Sequence, residues 1–348
     1  MIQEYKFLSN LANNMKKMKF RTELEILPSK IAISHETPIL TIGSCFAENI
    51  AKKLKGTGFI VNDNPFGVLY NPASIYNSIL LAEKNIKFSL DDLIYYQGEY
   101  HSFFHHSIFS HHDSYIVLEK LNSGIADLRK FLEKTKFVLV SLGTSFVYKH
   151  LEKDIIVSNC HKIPQKEFVR YRLSVEEVIS YLQGLIKLLF GFNDEIFVLF
   201  TVSPVRHLKD GAIENNRSKS ILLLAIEAIN SQLNNTGYFP SYELLLDDLR
   251  DYRFYNTDMI HPSTEAIDYI WEKFSETFFS AETKDLCNKI EKIKTARAHV
   301  VRNPGSDNYQ KFVKTNIIAI ENLLQTYPFL PIEDDLYHFS KIFDSFTS

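Results

Sequence analysis

The stretch PILTIGSCFAENIAKKL, Pro38 to Leu54, decides the fold. Ile39 to Ile42 form a short apolar run led in by a proline, the pattern of a buried strand. Beyond Gly43 and Ser44, Phe46, Ile50 and Leu54 recur at helical spacing. Glu48 comes early in that segment and Lys52 and Lys53 late, as the helix dipole favours. Strand, Gly-Ser, helix places the Ser44 hydroxyl at the carboxyl end of a strand and the amino end of a helix. There, free N–H groups stabilise negative charge on a reacting oxygen. The plain alternative is that Ser44 only caps the helix. Cys45, about 100° further round the helix, reads as a small residue packed beneath the turn, the usual place of a free cysteine.

Working outward, apolar runs recur at 137–142 and 196–202 and read as further buried strands, with Phe59 to Val61 a shorter one. Helical patterns lie between and after them, over Pro72–Lys84, Ile125–Lys136, Ser174–Leu189, Asn216–Asn234 and Ser263–Phe279. Ser174 and Glu177 have capping-box spacing. Phe20 to Leu27 alternates apolar and polar residues, as an edge strand does. Strands alternating with helices imply an α/β fold whose mostly parallel sheet is covered on both faces. Ligands of such sheets bind beyond the carboxyl ends of the strands. Ser44, the Gly143-Thr144-Ser145 segment and the Ser203–His207 segment all follow strand ends, so they converge on one edge. Residues 86–113 and 146–168 lack long helical patterns and read as inserts of short strands or loops. The expected organisation is an N-terminal extension over 1–19, a main domain over 20–283 and a helical extension over 284–348.

Of 348 residues, 45% are hydrophobic and 23% charged, a composition that buries a sizeable core. A net charge of −3 does not point to nucleic acid or a membrane surface as a partner. Three cysteines without framework spacing argue against a disulfide-built secreted domain. The N-terminal segment lacks the apolar core of a signal peptide, so a cytoplasmic location is expected.

The second informative stretch is Tyr255 to Ser263, in which Asp258 and His261 stand three apart just before a helix. Such a loop presents an imidazole that takes a proton from a nucleophile while the carboxylate orients it. Alternatively, Asp258 stabilises a turn and His261 is an ordinary surface histidine.

Taken together, these blocks resemble the SGNH (GDSL-like) hydrolases, and most closely the GSCFA family, named for the pentapeptide at Gly43 to Ala47. Further matching blocks are Asn64 to Gly67, Tyr70 to Pro72, Leu142 to Thr144, Asn159 to Lys162 with Pro164, Ser203 to His207 and Tyr238 to Glu243. The resemblance runs from about Phe20 to Phe279 and implies a three-layer α/β/α, flavodoxin-like fold. It implies that Ser44 is the nucleophile, His261 the general base and Asp258 the orienting acid, with no cofactor and no metal. Two blocks depart from the superfamily pattern. Its first block is usually Gly-Asp-Ser, whereas Gly43 directly precedes Ser44. Its third is usually Gly-x-Asn, whose amide holds the oxyanion, whereas Gly143-Thr144-Ser145 carries none. The backbone N–H groups of Ser44 and Gly67, with Thr144, Ser145 or Asn71 as side-chain donors, are the candidate replacements.

The expected activity is that of a serine esterase or deacylase, on a small-molecule or carbohydrate ester. Acyl transfer through the same site is one alternative and a non-catalytic binding module another. Arg206 and His207 are candidates to bind a polar or anionic substrate group. Cys160-His161 lacks a second ligand pair and suits a substrate-side loop with His161 facing the ligand. The histidines at 101, 105, 106, 111 and 112 read as a hydrogen-bonding aromatic wall rather than a metal site.

Overall fold

The structure is a computed structural model, and it describes residues 21–300, 303 and 305–346. The expected 1–19 extension lies outside the described residues. The first strands and helices among the described residues are β1 (Ile39–Gly43), α1 (Cys45–Gly56), β2 (Val61–Asp63) and α2 (Pro72–Glu83). The first insert follows as a hairpin of β3 (Ile94–Tyr96) and β4 (Glu99–His101). Then come α3 (Ser114–Leu132) and β5 (Phe137–Leu142). The second insert is an antiparallel sheet of β6 (Phe146–His150), β7 (Ile155–Val157) and β8 (Phe168–Arg172). The chain continues through α4 (Val175–Phe192), β9 (Phe197–Val202), α5 (Gly211–Asn230) and β10 (Thr236–Tyr238). It ends in α6 (Thr264–Phe278), α7 (Ala281–Arg297), α8 (Asp307–Thr326) and α9 (Glu333–Asp344).

The main sheet has the order β10-β9-β5-β1-β2, and every pairing in it is parallel. Its three central strands, β1, β5 and β9, are mostly apolar because both of their faces are buried. Period-two alternation sends Leu40, Ile42, Val138, Val140, Val198 and Phe200 into one core. Ile39, Phe137, Leu139 and Leu199 enter the other. Helices α2, α3, α4 and α5 fill the first side, and α1 and α6 the second. The result is three-layered, α/β/α. The chain leaves β1 toward β2 on one side and later builds outward from β5 through β9 to β10 on the other. The reversal falls between β1 and β5, where a crevice opens at the strands' carboxyl ends.

Two local expectations need correction. Phe20 lies outside the described residues, and residues 21–27 pair with no described strand; Leu24 and Ile26 instead pack onto the second core, and the Leu24 N–H donates to Asp248. Helix α3 begins at Ser114, well before Ile125, because the Asp113 side chain caps it and Val117, Leu121, Ile125, Leu128 and Leu132 share one buried stripe.

Helices α7–α9 enclose a third apolar cluster around Ile290, Val313, Ile320 and Phe339. Within it the wholly buried Asp335 carboxylate pairs with Lys294 at 2.5 Å and Arg297 at 2.9 Å. Both cations project from α7 to this one acid on α9, so loss of Asp335 strips the charge partner from two cations of α7 at once. Among the described residues no helix is long and apolar enough to cross a membrane.

The first insert packs His101 and His105 inward, while His106 is half-buried and His112 exposed. His105 stacks on Phe66 at 4.3 Å and bonds Ser102. His161 stacks on His101 at 4.5 Å and bonds the Ser102 carbonyl at 2.8 Å. Burial holds His105 down at about 3, with His161 adding to the effect. Burial likewise lowers His161 to about 4. Unfolded, each takes up a proton near its ordinary value of about 6.5. Between there and the depressed folded values the unfolded chain holds more protons, so stability is complete above about pH 6.5 and falls as pH drops, by up to about 1.4 kcal/mol per pH unit per site. Urea midpoints between pH 7.5 and 5 are therefore expected to fall steeply, and His105→Phe to flatten that curve. An unaltered slope in the variant would show that His105 is not a source of it.

Candidate active site

At the end of β1 the chain turns through Gly43 (φ 132°), whose N–H donates to Asn64 Oδ1 at 2.8 Å and whose carbonyl accepts from Leu69. A Cβ there would stand 2.1 Å from the Ser141 carbonyl oxygen, so only glycine allows β1 and β5 this approach. The next residue turns inward. Ser44 is 1% exposed. Its Oγ lies 2.8 Å from Ser141 Oγ and accepts the Phe46 N–H at 3.2 Å, capping α1. Its own N–H is spent on the Ser141 carbonyl. The Ser44 hydroxyl is thus engaged in the protein interior, and the expected attacking group does not line the cavity at the strand ends.

Cys45, one step round the helix, does. It lines a cavity of about 610 Å³ together with Tyr70, Asn71, Thr144, His207 and His261. The thiol is half-buried and lies 3.6 Å from the Tyr70 hydroxyl. Burial raises the Tyr70 phenol far above its usual range, Cys45 adding to the rise, so it stays a neutral donor beside the sulfur. The reading of Cys45 as packing beneath the turn is corrected by this placement. As the first residue of α1, Cys45 has no intrahelical acceptor for its N–H. The helix dipole there favours negative charge that develops on a bound oxygen.

The loop before α6 supplies a carboxylate and an imidazole. Asp258 Oδ2 lies 2.7 Å from His261 Nδ1, while Oδ1 accepts the backbone N–H groups of Ile260 and His261 at 2.9 and 3.0 Å. These bonds, the His261 backbone N–H foremost, hold the Asp258 carboxyl down at about 2. The carboxylate fixes the proton on Nδ1 and leaves His261 Nε2 as an acceptor on the cavity side. Met259, between them, has φ 57°, the left-handed geometry that brings Ile260 and His261 back onto the same carboxylate.

The other expected site residues divide. Asn71, Thr144, Arg206 and His207 line the cavity. Asn71 Oδ1 caps α2 by accepting the Ser74 N–H at 2.8 Å, which orients the amide and leaves Nδ2 as its donor. Thr144 Oγ1 is engaged by Ser218 and the Phe146 N–H. Gly67, Ser145 and His161 do not line it. The Gly67 N–H is spent in a turn on the Asn64 carbonyl. Ser145 is fully buried and tied to Ser218. His161 is held against Ser102 and His101, and Asn159 and Cys160 face the cavity in its place. His207 sits 5.4 Å edge-on to Tyr70 and is pushed down to about 3, chiefly by burial, with Lys219, His261 and Arg170 adding. Lys219 is wholly enclosed, donates to the Ser203 carbonyl at 2.7 Å and is lowered to about 7 by that burial. Sequence reasoning missed Arg170, on β8, and Lys209, in the turn after β9, both of which line the cavity. The run from Val205 to Lys209 lies wholly against it, and its start at a strand end is the signal that marks it.

No curated protein matches the chain. The model of the GSCFA family matches residues 38–274, which span the sheet and every cavity-lining residue named above. A model of the GSCFA domain protein C-terminal domain matches residues 290–343, in the helices that close the third core. With the pentapeptide at the β1–α1 turn and the match extending over most of the chain, this protein belongs to the GSCFA family.

Proposed function

We propose that the protein is an acyl-ester or thioester cleaving enzyme of SGNH type in which Cys45 is the nucleophile. The observation that carries this is the division of the turn: Cys45 and the Asp258-oriented His261 face one cavity while Ser44 Oγ is spent on Ser141 and the α1 cap. The superfamily reading draws support from the doubly wound parallel sheet, the glycine turn after β1 and the Asp-x-x-His loop before α6. Counted from Gly43, the third position of a Gly-Asp-Ser block falls on Cys45 and not on Ser44.

In this reading His261 Nε2 accepts the thiol proton and the sulfur attacks the acyl carbon, forming an S–C bond. The charge that gathers on the carbonyl oxygen is met by the Cys45 N–H at the start of α1 and by Asn71 Nδ2. The latter takes over the role of the amide that Gly143-Thr144-Ser145 lacks. The carbon–heteroatom bond of the leaving group then breaks, and His261 returns the proton to it. Water, activated by the same imidazole, hydrolyses the acyl-cysteine and restores the thiol.

The test is to trap the intermediate. Acid quenching after brief exposure to p-nitrophenyl acetate, followed by digestion and mass spectrometry, should place a single acetyl group on Cys45 that hydroxylamine removes. An acetyl on Ser44 would restore the serine mechanism; none on either residue, with no ester turnover, would remove the enzyme reading.

A further inference from the structure

Charge is unevenly distributed around the cavity. Among the described residues its charged lining side chains are all cationic, namely Arg170, Arg206 and Lys209, joined by the imidazoles of His106, His207 and His261, and no Asp or Glu lines it. This stands out in a chain with more acidic than basic residues. Arg170 is neutralised by a two-pronged pair with Asp210 and lies flat on Phe146, 4.0 Å from the ring centre. The other two have no carboxylate among the described residues. Arg206 donates to the Met259 carbonyl at 3.3 Å and covers the Tyr255 ring at 5.6 Å. Lys209 Nζ donates to the Tyr148 hydroxyl at 2.6 Å and lies 5.2 Å from that ring. Neutral hydrogen bonds and aromatic faces hold both cations in place without cancelling their charge. A pair so held suits an oxyanion ligand, which forms charge-assisted bonds to each.

The topology also sets a distance. Cys45 follows β1, whereas Arg206 and Lys209 follow β9, and β5 runs between those two strands. Two inter-strand spacings amount to roughly 10 Å. The anion-binding end is thus several bonds from the carbon that meets the thiol.

We propose that Arg206 and Lys209 form a subsite for a phosphate or carboxylate group borne by the substrate at a distance from its acyl carbon. The substrate class is an anionic acyl ester or thioester rather than a neutral one. This rests on the acyl-cleaving reading but is tested apart from turnover. Pyrophosphate binding to the full chain, measured by calorimetry, is the probe, with malonate as the carboxylate arm.

The wild type is expected to bind at least one of the two anions, more weakly as salt rises. Arg206→Gln and Lys209→Gln should each weaken that binding by about tenfold or more, the worth of a charge-assisted bond, and Lys209→Arg should restore most of it. Tighter pyrophosphate identifies a phosphate group, and tighter malonate a carboxylate. Cys45→Ser should bind the anion as the wild type does, since the thiol lies at the other end. Binding of neither anion by the wild type, or undiminished binding in the Arg206→Gln/Lys209→Gln double variant with an unchanged melting temperature, overturns the subsite. Anion binding that behaves as expected without acylation of Cys45 would keep the subsite and reject the chemistry, so the two failures are distinct.

Discussion

Cys45→Ala is expected to lower turnover of an activated acyl ester by at least about a thousandfold, the scale of losing a covalent nucleophile, while leaving the unfolding midpoint close to that of the wild type. The thiol makes one long contact, to the Tyr70 hydroxyl at 3.6 Å, and is only half-buried, so little packing goes with it. Ser44→Ala should do the reverse. It removes the cap on the Phe46 N–H and leaves the buried Ser141 hydroxyl without its 2.8 Å partner. Together these cost about 2 kcal/mol, with most of the turnover retained. Steady-state kinetics and urea unfolding on the two variants make the comparison. A Ser44→Ala enzyme as inactive as Cys45→Ala, yet properly folded, would return the attacking role to the hydroxyl.

The second large effect is structural. Gly43→Ala is expected to lose at least about 3 kcal/mol, from a strained backbone and an overpacked contact combined, and to accumulate little folded protein. The added methyl would meet the Ser141 carbonyl at 2.1 Å, a backbone atom in the middle of the sheet that cannot move aside, and φ 132° is foreign to alanine. Gly56→Ala is the matched control. A Cβ there meets nothing within 4 Å, and the change should be neutral or stabilise by up to about 1 kcal/mol. If Gly43→Ala unfolds within about 1 kcal/mol of the wild type, the close approach of β1 and β5 is not what that glycine serves.

The layered architecture was legible because its cause is local. Apolar runs at 39–42, 137–142 and 196–202 bury on both faces, and nothing but a covered parallel strand accommodates them. Helix starts were legible where a cap was spelled out, as at Ser174 with Glu177. Where an aromatic, polar insert runs straight into a helix, as at Asp113–Ser114, composition hides the boundary although the Val117–Leu121–Ile125 stripe is present. The alternation at 21–27 promises a strand, but the segment joins neither edge strand, β2 or β10; Leu24 and Ile26 pack on the second core and Asp248 takes the Leu24 N–H instead.

Site residues were harder for a different reason. Sequence shows that Ser44 and Cys45 are neighbours but not the rotation that sends one inward and the other outward. The same ambiguity exchanged His161 for Asn159 and Cys160 on the cavity wall. Arg206 and His207 were found because they follow a strand end directly. Arg170 was not, since it arrives from the second insert's own small sheet, whose packing across the cleft no motif announces.

The Ser44 cap has a further consequence. By binding Phe46 N–H and Ser141 together, it sets the angular phase of α1 about its own axis. That phase decides which residue of the turn meets ligand, because consecutive positions differ by about 100°. The β1–α1 junction therefore acts as an index mark. Deleting one residue between Gly43 and Phe46 would swing a different side chain into the cavity and carry the whole helix, with Ile50 and Leu54, out of alignment with the sheet beneath it.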